Sequence, residues 1–286
     1  MIDIGFSMQP RYELPHVQVI GLLHDAGFSA VSPVWSPDLP MEAMAACLQT
    51  YGMTFQSLHA PHGGAAQLWN PGDPLTPAIE NNIMSCIDAC AKFHAPLIVV
   101  HGWQGFHYTF PHTPLDYSVF DRIVDHAERN NVSVAFENLE GEEYLNALMT
   151  RYCDRPHVGY CWDSGHDHCY PHQMDFLKAF GHRLIMTHLN DNLGLRDPGG
   201  VPTGKDDLHF LPHDGNLDWE HTLRRLQSLP KQNILNFELK KRSASDAPKD
   251  LIYDALSLEA YIRLAGQRAR EIADQYEQMM REEEKA

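Results

Sequence analysis

Positive charge is scarce in this chain. Lysine and arginine number 22 against 38 aspartates and glutamates, so the 286 residues carry a formal net charge of −16 with histidine neutral. DNA and RNA are met by Lys and Arg on their phosphates, so this balance argues against a nucleic-acid partner. Bound cations would relieve it only locally. Long apolar runs are missing as well, and no stretch approaches the roughly 20 residues of a membrane span. The opening MIDIGFSMQP has neither the basic start nor the apolar run of a secretory signal. The expectation is a cytoplasmic protein with no membrane partner. The six cysteines (47, 86, 90, 153, 161 and 169) form no CxxC pair. A chain this long can build a core without disulfide staples, so reduced thiols are expected.

Histidine is the residue in excess. There are 18, nearly as many as lysine and arginine together. The remaining composition, 43% hydrophobic and 21% charged, is that of an ordinary globular domain. Short apolar runs recur at 2–8, 30–35, 54–60, 96–102, 132–138, 158–164, 184–190 and 234–240. Several are continuous rather than alternating, which suits parallel strands covered on both faces. Amphipathic stretches of helical length lie between them at 14–27, 41–52, 76–94, 116–131, 174–182 and 219–229. Glycines close the first two, and Thr76–Pro77 opens the third. Eight such repeats in one chain without a linker predict a single-domain α/β fold, a (β/α)8 TIM barrel over 1–286. The Gly-, Pro- and Asp-rich segment 191–218 reads as a loop over the active face. Residues 264–286 read as a charged C-terminal helical extension, a surface or subunit-contact helix consistent with a homo-oligomer.

The stretch VGYCWDSGHDHCY, 158–170, sets the functional question, because a buried apolar strand runs straight into acids and imidazoles. An unpaired buried carboxylate is costly, and a metal cation is the first candidate to compensate it. Other strand ends repeat the pattern. His59, His101, Glu137, Asp163, His188 and Glu238 each close an expected strand, and His166, Asp207 and His209 follow in loops. Active sites of barrels sit at that end of the strands. A lone histidine there is usually a hydrogen-bonded core residue. Imidazoles and carboxylates from six successive strands point instead to a divalent metal, Mn2+ or Zn2+ first, with Mg2+ or Co2+ as further choices.

The motifs HAP (59–61), FEN (136–138), WDSGH (162–166), HLNDN (188–192), the run from Asp207 to Gly215 and the terminal Glu238 resemble the xylose isomerase-like TIM-barrel superfamily. That superfamily holds sugar and sugar phosphate isomerases and epimerases, inosose dehydratases and endonuclease IV, and the resemblance extends to about residue 262. In its epimerase branch the resemblance implies one metal on Glu137, Asp163, His188 and Glu238, with His166 on a substrate oxygen. In its endonuclease branch it implies a multinuclear shell that adds His59, His101, His166, Asp207 and His209. Ligand types alone do not separate the branches.

The isomerase or epimerase reading implies an enediolate formed by proton transfer, with Glu137 and Glu238 as base and acid. A related lyase shares that chemistry. The substrate is then a sugar or polyol, with Trp35, Trp103 and Phe106 as candidate apolar walls and Arg196 and Lys205 as candidate partners of a phosphate. The acidic balance and the His–Asp pair before Gly215 count against the alternative, a metal-dependent phosphodiesterase or hydrolase. A metal- and sugar-binding barrel without catalysis is a third reading.

Overall fold

The computed structural model describes residues 1–111, 114–245 and 251–283. Nine parallel strand segments occupy eight positions around a barrel. They are β1 (Asp3–Met8), β2 (Ala30–Pro33), β3 (Thr54–Phe55), β4 (Leu58–His59), β5 (Leu97–His101), β6 (Ser133–Glu137), β7 (Val158–Asp163), β8 (Leu184–His188) and β9 (Ile234–Phe237). The continuous apolar runs become strands buried on both faces. Every residue of β5 and β7 is buried.

The strands form two sheets, ordered β3-β2-β1-β9 and β4-β5-β6-β7-β8. The third position is split. β3 pairs with β2 through Ala30↔Thr54, and β4 pairs with β5 through Leu58↔Ile98, so the chain passes from one sheet to the other at Gln56–Ser57. Two isolated parallel bridges, Val34↔His59 and Leu189↔Phe237, close the ring.

The connecting helices are α1 (His16–Asp25), α2 (Met41–Tyr51), α3 (Thr76–Phe93), α4 (Ser118–Arg129), α5 (Glu142–Arg151), α6 (Ser164–Cys169), α7 (Phe176–Phe180), α8 (Trp219–Gln227) and α9 (Leu258–Glu283). α2 ends at Gly52, whose φ of +67° is left-handed and suits glycine. α5 and α6 were not anticipated. α5 starts on Gly141 at φ +79° and buries Tyr144, Leu145, Leu148 and Met149.

The charged tail also differs from expectation. Its helix starts at Leu258 and buries Tyr261, Ile262, Ala265, Ala269, Ile272, Ala273 and Tyr276. It lies against α1, α8 and β1, so it is a member of the outer ring and not an appendage beyond the barrel. Gly266 permits this contact, because a Cβ there would stand 2.2 Å from the Ala26 carbonyl oxygen. Residues 284–286 of the expected extension lie outside the described residues. Among the described residues, no helix is long and apolar enough to cross a membrane.

Candidate metal centre

Parallel pairing in register sets the chemistry-bearing residues side by side at one end of the barrel. His101 of β5 pairs with Glu137 of β6, and Asp163 of β7 pairs with His188 of β8. Glu238 follows β9 directly, and its N–H donates to the Leu189 carbonyl at 3.1 Å. Ligand atoms of Glu137, Asp163, His188 and Glu238 all lie within 4.8 Å of one another.

Glu137 is the hub of this cluster. Its Oε1 lies 2.9 Å from His188 Nδ1, while its Oε2 lies 3.1 Å from His101 Nε2 and 3.3 Å from His59 Nε2. His188 Nδ1 also lies 2.8 Å from Glu238 Oε2. Burial pushes the Glu137 carboxyl up, but His188, His101 and His59 outweigh it and hold the group well below the usual carboxylate range. Glu238 is held low in the same way, burial being outweighed by His188 and His209. His188 moves the opposite way. Burial disfavours its charge, yet Cys161, Glu137 and Glu238 together raise it well above the usual imidazole value. In Asp163 burial prevails, and its carboxyl is raised.

Asp163 is held by a shell of amides. Its carboxylate accepts from both Asn190 Nδ2 (3.0 Å) and the His166 N–H (2.7 Å), which caps α6. Asn138 Oδ1 accepts from the Asp163 N–H at 2.7 Å and from the Tyr160 hydroxyl at 3.0 Å. The glycine of the WDSGH motif belongs to this packing, because a Cβ on Gly165 would lie 1.9 Å from Asn190 Oδ1. Such outer partners fix the orientation of ligating groups.

His166, Asp207 and His209 form an adjoining group. Asp207 Oδ2 lies 2.6 Å from His209 Nε2 and 3.4 Å from His166 Nε2. Asp207 is held well below its ordinary value because His209 and His166 outweigh burial. Lys240 stands 3.9 Å from both Asp207 and Glu238. On the other side of Glu137, His59 and His101 meet His62, which the sequence reading did not single out. Its one signal was a position three residues after His59 in the HAPH run. The neighbouring His101 and then burial hold His62 down to about 3.

These groups open into a cavity of about 400 Å³ walled by His59, His62, His101, Glu137, His166, Asp207, His209, Glu238 and Lys240, with Phe106 and Tyr170 as aromatic wall. Trp35, Trp103 and Arg196 lie outside this lining. Trp35 is buried in the apolar core, and Trp103 stacks on Tyr144 at 4.1 Å. Arg196 is engaged by Asp206 within its own loop.

The sequence profile of the xylose isomerase-like TIM barrel matches residues 20–261. The chain belongs to that family. An uncharacterized protein of Sinorhizobium fredii, y4fM, is 29% identical over 77% of this chain and 79% of its own. In fold, this xylose isomerase-like barrel is similar to the zinc-bound structure of IolI, with a TM-score of 0.68 at 17% identity over 96% of this chain and 98% of the other. It is also similar to L-ribulose 3-epimerase, with a TM-score of 0.72 at 10% identity over 100% and 97% of the two chains.

The residues of this barrel fit a divalent metal. Two carboxylates converge on one ring nitrogen of His188, whereas one N–H can serve only one of them well. The donor set of three carboxylates and an imidazole, buried except for the partly exposed Glu238, is of the type that holds divalent ions.

Proposed function

We propose that the protein is a divalent-metal-dependent sugar isomerase or epimerase that moves a proton through an enediolate. The observation that carries this reading is the placement of Glu137 and Glu238. They come from strands of different sheets, converge on His188, and both border the cavity. Glu137, Asp163, His188 and Glu238 would hold the metal, with Zn2+ or Mn2+ the best match to the donors. When bound, the metal supplies positive charge against the developing negative charge of the substrate oxygens.

The protein's own groups do the rest. Glu137 and Glu238 are held as carboxylates, so either can accept the proton next to the carbonyl; the partner, which borders the open cavity and takes its proton from solvent there, returns one from the other side. His166 Nδ1 is occupied by the Asn138 carbonyl at 2.9 Å, which leaves Nε2 toward Asp207 and the cavity for a substrate hydroxyl. Phe106 and Tyr170 offer an apolar wall to a sugar ring. The volume, about 400 Å³, admits a small sugar or polyol.

The decisive experiment is a panel of ketoses and aldoses incubated with metal-loaded protein in deuterated water. Metal-dependent incorporation of deuterium next to the carbonyl is expected. Its absence from every sugar tested, phosphorylated ones included, would count against the reading.

A specific observation favours a second reading, a multinuclear hydrolase or phosphodiesterase. Two further ligand groups flank the first, His59 with His101 and Glu137, and His166 with Asp207 and His209. Hydrolysis of a model phosphodiester, without deuterium exchange, would support it over the first.

A further inference from the structure

His59, His62 and His101 meet at one wall of the cavity, each offering a ring nitrogen within 4.8 Å of the others. The ring centres of His59–His101 and His62–His101 are 4.8 Å apart, and those of His59–His62 are 5.6 Å apart. Imidazoles that share one ion at a Zn–N distance of about 2.0–2.1 Å in tetrahedral geometry have ring centres about 5 Å apart. The three separations bracket that value.

The hydrogen bonding is also that of a ligand set. His59 gives its Nδ1 to the Ala60 carbonyl at 2.8 Å, which turns Nε2 toward the cavity and Glu137, the usual arrangement of a ligating histidine. The Nδ1 atoms of His62 and His101 are buried with no hydrogen-bond partner among the described residues. His101 itself is 8% exposed. Buried polar atoms are nearly always partnered, so two orphans in one trio call for an explanation. Mutual hydrogen bonding of the rings does not supply it, because neither Nδ1 reaches a partner among the described residues.

We propose that His62 is a metal ligand, and that with His59 and His101 it forms a three-imidazole site distinct from the Glu137, Asp163, His188 and Glu238 set. Glu137 Oε2, 3.3 and 3.1 Å from the Nε2 atoms of His59 and His101, stands between the two groups. The resemblance assigns this side of the cavity to His59 and His101 alone. His62 turns a two-imidazole corner into a three-imidazole one. Neutral imidazoles select borderline ions such as Zn2+, Co2+, Ni2+ or Cu2+ over Mg2+ or Ca2+. The inference holds whichever reaction the barrel performs.

The test is titration of metal-stripped full-length protein with Co2+, read by d–d absorption and by bound metal per chain. Wild type, His62→Ala and His59→Ala are compared. Wild type should bind at least two ions. His62→Ala should lose about one of them, or bind it about tenfold more weakly or worse, with a changed spectrum for that ion only. His59→Ala should lose the same ion. Should the alanine variant fail to fold, His62→Asp and His62→Asn replace it, and only the Asp variant should keep the ion. A His62→Ala protein with wild-type stoichiometry, affinity and spectrum overturns the proposal. So does a wild type that binds a single ion at the four-ligand set. Neither result bears on proton exchange by Glu137 and Glu238.

Discussion

Glu137 Oε1 and Glu238 Oε2 reach the same nitrogen of His188, at 2.9 and 2.8 Å, from opposite sheets of the barrel. Two carboxylates so close, Glu137 buried and Glu238 nearly so, repel each other unless positive charge lies between them. A protonated imidazole meets part of that need and a divalent ion meets it fully. Protein prepared without chelator should therefore carry at least one equivalent of divalent metal. Removing the metal should lower the melting temperature, and restoring Zn2+ or Mn2+ should recover it. At a free concentration of 100 Kd the gain is about 2.7 kcal/mol. Elemental analysis and thermal melts check this. A metal-free protein indifferent to both ions would refute it.

Asp163→Ala should weaken metal binding more than His59→Ala does. Asp163 belongs to the four-residue set, caps α6 and engages Asn190. Loss of the cap adds about 0.5–2 kcal/mol of destabilisation. Competition with a chromophoric chelator ranks the affinities, and denaturant melts give the stabilities. Equal and complete metal loss in both variants would mean that the ions bind only as a linked cluster.

Glu137→Gln and Glu238→Gln should each abolish deuterium exchange while the fold is retained. Glu137→Gln should destabilise more, because three histidines turn on that carboxylate. Wild-type exchange rates in both variants would remove the pair from the proton path and direct attention to hydrolysis.

Gly165→Ala tests the packing beneath Asp163. The added methyl falls on Asn190 Oδ1, so Asn190 must leave Asp163 or the strand end must shift. Overpacking of this kind costs about 1–3 kcal/mol. Metal affinity should drop about tenfold, as it does when outer partners of ligands are lost. Unchanged melting and affinity would show that this region yields without cost.

DNA affinity should be negligible at physiological salt. Among the described residues that wall the cavity, Lys240 is the cation, and Asp207 and Glu238 stand beside it. The chain as a whole is strongly acidic. A duplex carrying an abasic site, followed by gel shift and by cleavage with Zn2+ or Mn2+ present, checks this. Tight, salt-sensitive binding with cleavage would promote the phosphodiesterase reading over the isomerase one.

The strands were legible in the sequence because parallel strands buried on both faces are nearly continuous apolar runs. LIVV before His101 is an example. The strand ends were legible for the same reason: an acid or imidazole closes the apolar runs from the third to the eighth. The split of the third strand was not, since Gln56 and Ser57 are buried by the path of the chain between two sheets. α5 escaped because its buried positions, 144, 145, 148 and 149, fill barely two turns after a glycine. His62 depended on a loop conformation that spacing alone does not fix. Trp35, Trp103 and Arg196 were proposed by chemical type. Core packing against neighbours takes up Trp35, Tyr144 takes up Trp103, and Asp206 takes up Arg196.

The ring of strands has two weak seams, each closed by a single bridge. Glu137, Asp163 and His188 stand on one side of the Leu189↔Phe237 seam and Glu238 on the other. An ion gripped by all four would act as a stitch across it. The barrel would then breathe at this seam when empty and stiffen when loaded. Amide hydrogen exchange should report this locally. The N–H groups of Leu189 and Glu238, which bridge the gap to Asn236 and Leu189 respectively, should slow on loading far more than those within β5 and β6.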